Sequence, residues 1–287
     1  MRGNIMLEDI LFNQVAMPGE LIRVALAFLG TAIAAYFDVF NKKNIPDALL
    51  YGFLVVAFLV NAFFYQESLF WFSLVIAAFI SAVGYVFYRV GQLGAADIFI
   101  LAAIMLLLPI APSFVGMTFN IPFVFPVIIF SGVVFALYVL VYFGWKLLRT
   151  DARPNLIYAL MLIPYVLFAY VYMNSFLFSP VYFAFITILL FSVTFFMMFR
   201  DAFNRLLSEE IPVSQLQPED VLALEVMNKD LIARYKIPRL MTKEIIARLK
   251  KTRVTDVWVY TKLPPFIPFM LAGMVLSLFF ARNLLLF

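Results

Sequence analysis

Two aspartates stand where apolar segments meet polar ones. Asp38 closes the run "ALAFLGTAIAAYFD", and Asp97 opens the run "DIFILAAIMLLLPIAP" directly behind "GQLGAA". Two carboxyl groups that share a site do not both ionise easily, so one proton is held between them. Such a pair takes a proton from an attacking water and passes one to the oxygen or the leaving amine of a peptide bond, without help from histidine or metal. The chain contains no histidine and no cysteine. Thiol nucleophiles, Ser-His-Asp triads and Cys/His metal sites are thereby excluded, leaving carboxylates, Lys, Tyr, Ser and Thr as the reagents.

Each acid also has a plain structural reading. Asp97 at the start of a helix caps free N–H groups and sits at the positive end of the helix dipole. Asp38 lies at a helix C-terminus, where the dipole disfavours an anion, so its presence asks for another reason. Asp47 follows "NIP" and suits the first turn of the next helix. Gly94 permits a close approach of backbone to a neighbouring group, or simply serves the turn before the helix.

The elements that must position these acids are membrane helices. Of 287 residues, 65% are hydrophobic and only 13% charged, and mean hydropathy is +1.01. Apolar stretches lie at roughly 21–37, 48–65, 70–87, 97–112, 121–143, 156–178, 181–199 and 264–281, matching the length that a helix needs to cross a bilayer. The fold class expected is an all-α polytopic membrane bundle of about eight transmembrane helices with the N-terminus outside. Threading the spans alternately gathers Lys42, Lys43, Arg89, Lys146, Arg149, Arg153 and the basic residues from Arg200 to Lys262 on one side, which the positive-inside rule makes cytoplasmic. Only Arg2, Arg23 and Arg282 fall elsewhere, and the opposite connections "NAFFYQES", "PIAPSFVGMTFN" and "NSFLFSP" carry one charge, Glu67. Asp38 and Asp97, nearly sixty positions apart, are thus brought to one membrane depth at the cytoplasmic end. The first twenty residues show no cleavable signal pattern.

Residues 200–262 change to ordinary soluble composition, which divides the chain into a membrane domain (1–199), a small α+β cytoplasmic domain (200–262) and a final transmembrane segment (263–287). "VLALEVM" and "VWVY" read as strands, and "TKEIIARLKK" as a helix capped by Thr242 with Ile245, Ile246 and Leu249 on its apolar face. Arg248, Lys250, Lys251 and Arg253 read as a solvated basic surface. The 35 Phe read as lipid-facing bulk and interface anchors.

With these residues in place, the chain resembles the type IV prepilin peptidases, membrane aspartyl proteases of the Gly-x-Gly-Asp class, and among them the archaeal branch that includes the preflagellin (prearchaellin) peptidases. The resemblance rests on "DVFNKKNIPD" and on "GAAD", where Ala96 stands at the family's second glycine; "EEIPVSQLQPEDVLA" and "KLPPFIPFMLAG" resemble the start of the cytoplasmic domain and the approach to the last helix. Bacterial relatives carry a cysteine-rich zinc-binding insert, which a chain without cysteine does not have. The resemblance implies Asp38 and Asp97 as the catalytic pair, Gly94 and Ala96 as supporting motif positions, and no cofactor or metal. It further implies archaellin- or pilin-like precursors as partners beside membrane lipids and no nucleic acid, with cleavage of a short basic leader at the cytoplasmic face. Presenilin-like and signal-peptide-peptidase-like proteases share the Gly-x-Gly-Asp motif, but they expect Tyr-Asp and Pro-Ala-Leu where this chain reads "FD" and "LPPFIPF". A proton-coupled transporter also uses paired membrane carboxylates, but near the bilayer centre and on broken helices.

Overall fold

The computed structural model describes residues 15–41, 45–116, 120–150, 152–176, 178–252, 254–261 and 263–284. Arg2, Lys42, Lys43, Arg253 and Lys262, used above in the charge pattern, lie outside the described residues, as does most of the N-terminal stretch. Each of the eight apolar stretches forms a helix. Five are long and apolar enough to cross a membrane: α1 (Glu20–Phe40), α3 (Glu67–Arg89), α5 (Val124–Leu147), α6 (Leu156–Met173) and α7 (Pro180–Met198). Three are shorter: α2 (Asp47–Phe63), α4 (Ala95–Leu107) and α11 (Ile267–Phe280).

Helix α4 is the hub. Its 13 residues rise about 20 Å, less than the roughly 30 Å hydrocarbon core. It nevertheless carries no polar face, because α1, α2 and α3 pack around it. Ile100, Ala103, Ile104, Met105, Leu107 and Leu108 are fully buried. The helix is sheathed by protein, and so is the non-helical chain beyond it, where Ile110 and Ala111 are also buried. Irregular backbone at such a position is tolerated because protein surrounds it.

Arg23, in the first turn of α1, is buried beside the C-terminal end of α4. Its guanidinium donates to the carbonyls of Leu106 (3.3 Å) and Leu107 (3.1 Å), Phe64 (3.3 Å) and Pro18 (2.9 Å), and to Asn61 Oδ1 (3.1 Å). The carbonyls of Leu106, Leu107 and Phe64 lie at the ends of α4 and α2, where no helical N–H is left to bond them and the dipole favours a cation. Asn61 in turn donates to Ser73 Oγ at 2.7 Å, which draws α3 into the network. Arg23 departs from the charge asymmetry of the chain because it is an internal tie.

Helix α11 lies between α1 and α5. Gly273 allows this contact, since a Cβ there would run into Ser131 and the backbone of α5. Within α5, residues Val139–Phe143 form a π-helical turn. Helix α7 packs on α5, and α6 packs on α7 with none of its residues buried.

After α7 come α8 (Arg200–Leu207), β1 (Glu209–Pro212), α9 (Lys229–Tyr235), α10 (Lys243–Leu249) and β2 (Asp256–Val259). The strands pair antiparallel with Glu209 opposite Val259 and Pro212 opposite Asp256. One expectation changes here. The segment "VLALEVM" makes only isolated bridges, Val221 to Leu240 and Leu222 to Val259, and "EEIP" supplies the second strand. The buried Phe203 and Leu207 of α8 join Val139, Phe143 and Leu147 of α5 in one cluster, separate from the core of Val213, Leu222, Met241, Leu249 and Val257. Thr242 caps α10 by accepting from Ile245 N–H (3.4 Å), and Ile246 and Leu249 are buried. Arg248 donates to the carbonyls of Tyr235 and Lys236 at the end of α9.

Candidate active site

Asp38 and Asp97 line one cavity of about 690 Å³ at the end of the bundle opposite Arg23. Both are buried, at 7% and 9% exposure. The antiparallel course of α1 and α4 sets this arrangement: the last turn of α1 carries Asp38 and the first turn of α4 carries Asp97.

Backbone donors hold each carboxylate. Asp97 Oδ2 accepts from the N–H of Gly94, three residues earlier, at 3.0 Å. This is one half of a capping box; Gly94 has no side chain with which to return the bond. The cap reading of Asp97 is therefore correct as far as it goes, and the same carboxylate also faces the cavity. A Cβ on Gly94 would lie 3.1 Å from Asp97 Oδ2, a crowded contact, so the close approach that glycine permits here is to the acid itself. Ala96 lines the cavity and is half-buried against the core, so its methyl group is accommodated.

The donor to Asp38 comes from the far end of the sequence. Asp38 Oδ2 accepts from Ile267 N–H at 3.1 Å, across 229 positions. Ile267 begins α11, so the acid that sits unfavourably at the C-terminus of α1 meets the positive N-terminus of another helix. Pro268 follows and has no N–H, while Phe269 and Met270 donate to Phe266 O, which leaves the Ile267 N–H for the carboxylate. Residue types gave no warning of this backbone donor. The nearest sign was the proline-rich stretch "KLPPFIPF", noted only as the approach to the last helix.

The rest of the wall is shared among several elements. Pro264, Pro265 and Phe266 lead into α11, Tyr51 and Phe99 meet edge to face (5.2 Å), and Phe135 comes from α5. Glu219, Val221 and Leu240 of the small module complete the wall, and Tyr88 donates to Glu219 Oε1 at 3.0 Å. Asp47, exposed at the start of α2, also lines the cavity. Among the described residues no group of three or more acids is arranged to hold a metal ion.

Two carboxylates from separate apolar helices, held by backbone N–H groups, face one cavity in a helical membrane protein. Residues 25–141 match the model of the type IV leader peptidase family. That segment carries both aspartates, and over it the chain is similar to this family of leader peptidases. No curated protein and no solved structure matches the chain.

Proposed function

We propose that the chain is an aspartyl endopeptidase that removes the short basic leader from archaellin- or type IV pilin-like precursors at the cytoplasmic face of the cell membrane. The observation that carries the reading is the single cavity lined by both Asp38 and Asp97. One carboxyl group holds a proton and the other is ionised. The ionised group takes a proton from the attacking water while the protonated one gives its proton to the carbonyl oxygen. Collapse of the tetrahedral intermediate breaks the C–N bond as a proton passes to the leaving amine. The substrate must unwind to reach the pair, because a helical peptide bond is shielded by its own hydrogen bonds.

Three features favour a cationic leader, this orientation and the archaeal type. Asp47 and Glu219 add two carboxylates to the wall, and no Lys or Arg is among the described lining residues. The Lys and Arg of the connections concentrate on the side of Asp38 and Asp97, as expected of a cytoplasmic face. The lack of cysteine agrees with the archaeal type. In the same reading all eight apolar helices cross the bilayer with the N-terminus outside, and the small domain of 200–262 precedes the final span.

The test is processing of a leader-bearing pilin precursor in membranes containing wild-type protein, Asp38→Asn or Asp97→Asn. Each variant should leave the precursor uncut at wild-type expression. Full processing by either one would remove the dyad.

A further inference from the structure

The geometry points to a binding site for an anionic phospholipid at the cytoplasmic end of α5, α7 and α8, away from the two aspartates. Two adjoining hollows meet there. One, of about 620 Å³, is walled by apolar side chains including Leu140, Val141, Leu148, Phe195 and Phe199. The other, of about 420 Å³, is lined by Thr150, Arg153, Asp201 and Arg205. They share Thr150 and Ala152, so an apolar groove runs directly into a cationic hollow; the topology proposed above, on which this placement rests, sets the first at membrane depth and the second at the membrane surface. That sequence of surfaces matches acyl chain followed by phosphate.

The neighbouring charges single out the two arginines. Lys146 lies over the ring of Tyr142 (5.0 Å) and Arg149 over that of Trp145 (4.6 Å), so both are engaged by aromatic faces. Arg153 and Arg205 are exposed, and neither forms a hydrogen bond or ion pair with any described residue. Asp201 lines the same hollow without bonding to either, leaving the described lining with one net positive charge. Asp151 lies outside the described residues. The two guanidiniums suit a phosphodiester, which accepts several N–H bonds at once, while the Thr150 hydroxyl donates to Leu147 O (3.0 Å). Trp145, exposed on the preceding turn, is a residue type that settles at the headgroup level. Basic pockets between membrane helices on the cytoplasmic side are a recurrent setting for anionic headgroups.

The experiment is native mass spectrometry of the full chain, purified in detergent and titrated with phosphatidylglycerol or phosphatidylcholine. Wild type should retain the anionic lipid in preference to the zwitterionic one, and Arg153→Gln/Arg205→Gln should lower that retention about 30-fold. An unchanged melting temperature shows that the double variant is folded. Lys250→Gln/Lys251→Gln, which alters the charge of the small module, should leave retention unchanged. Glycerol 3-phosphate should fail to displace the lipid, since it lacks the chain that fills the groove. Equal retention of both lipids, equal retention by wild type and the arginine variant, an equal loss in the lysine variant, or displacement by glycerol 3-phosphate would each overturn the site. Binding is read without cleavage, so failure here leaves the peptidase reading untouched.

Discussion

The two ends of the four-helix core solve the same problem in opposite ways. At one end a buried cation, Arg23, donates to four backbone carbonyls and to Asn61, and the ends of α1, α2 and α4 close over it. At the other end two buried acids accept from the backbone of Gly94 and Ile267 and still face a cavity. About fifteen residues of α1, some 22 Å of rise, separate Arg23 from Asp38. A buried charge enclosed by satisfied dipoles holds helices together. A buried charge left facing a hollow is available for chemistry. The difference between tie and site therefore lies in what surrounds the charge, since both kinds are costly in a membrane.

Five substitutions would break or sharpen that contrast. The largest effect on turnover is expected at the open end, where Asp38→Asn and Asp97→Asn should each reduce precursor cleavage by about a thousandfold or more with little change in melting temperature. At the closed end Arg23→Met should do the reverse. It strands carbonyls and Asn61, costing about 2–4 kcal/mol of stability by thermal unfolding in detergent, while the folded fraction keeps its turnover rate within about twofold. Should Arg23→Met instead abolish turnover in folded protein, the ends are not independent. Gly94→Ala introduces a methyl beside the Asp97 carboxylate and should slow cleavage about tenfold at unchanged substrate affinity, measured as a fall in kcat without a rise in KM. Asp47→Asn alters the wall but not the pair, and less than a threefold loss is expected with a short basic precursor.

How much of this could be read from the residues depended on whether a feature carries a side-chain signature. The eight apolar helices did, through hydropathy alone. The placement of Asp38 and Asp97 at one end followed from threading those helices alternately, and the residues of "GAAD" marked the second acid. The donor to Asp38 did not, because Ile267 contributes its backbone N–H and any non-proline residue offers one. Arg23 stood out as an exception in the charge pattern, but the carbonyls that explain it are likewise silent in sequence. In the small module "VLALEVM" reads as a strand because its residues are apolar, yet Leu222 and Ala223 are spent on the core and the ladder goes to "EEIP", whose two acids and proline disguise it. The polarity change at Arg200 is real as composition. It does not mark a packing boundary, because Phe203 and Leu207 turn back onto α5.

The π-helical turn of α5 divides that helix into two working faces. Before it, Phe135 and Tyr138 meet the rings of Phe266 and Phe269 at the head of α11; at its end and beyond it, Phe143 and Leu147 join Phe203 and Leu207 of α8. A π turn accommodates one residue more than the α turn it replaces, and each residue of an α-helix advances the side chain by about 100°. The same residues wound as continuous α-helix, without the wide turn at Val139–Phe143, would therefore set everything downstream roughly that angle away. Trp145, Lys146 and Arg149 would swing to new bearings while the residues that face α11 stayed fixed. The turn thus works as an indexing joint that gives the two halves of one rod separately chosen azimuths.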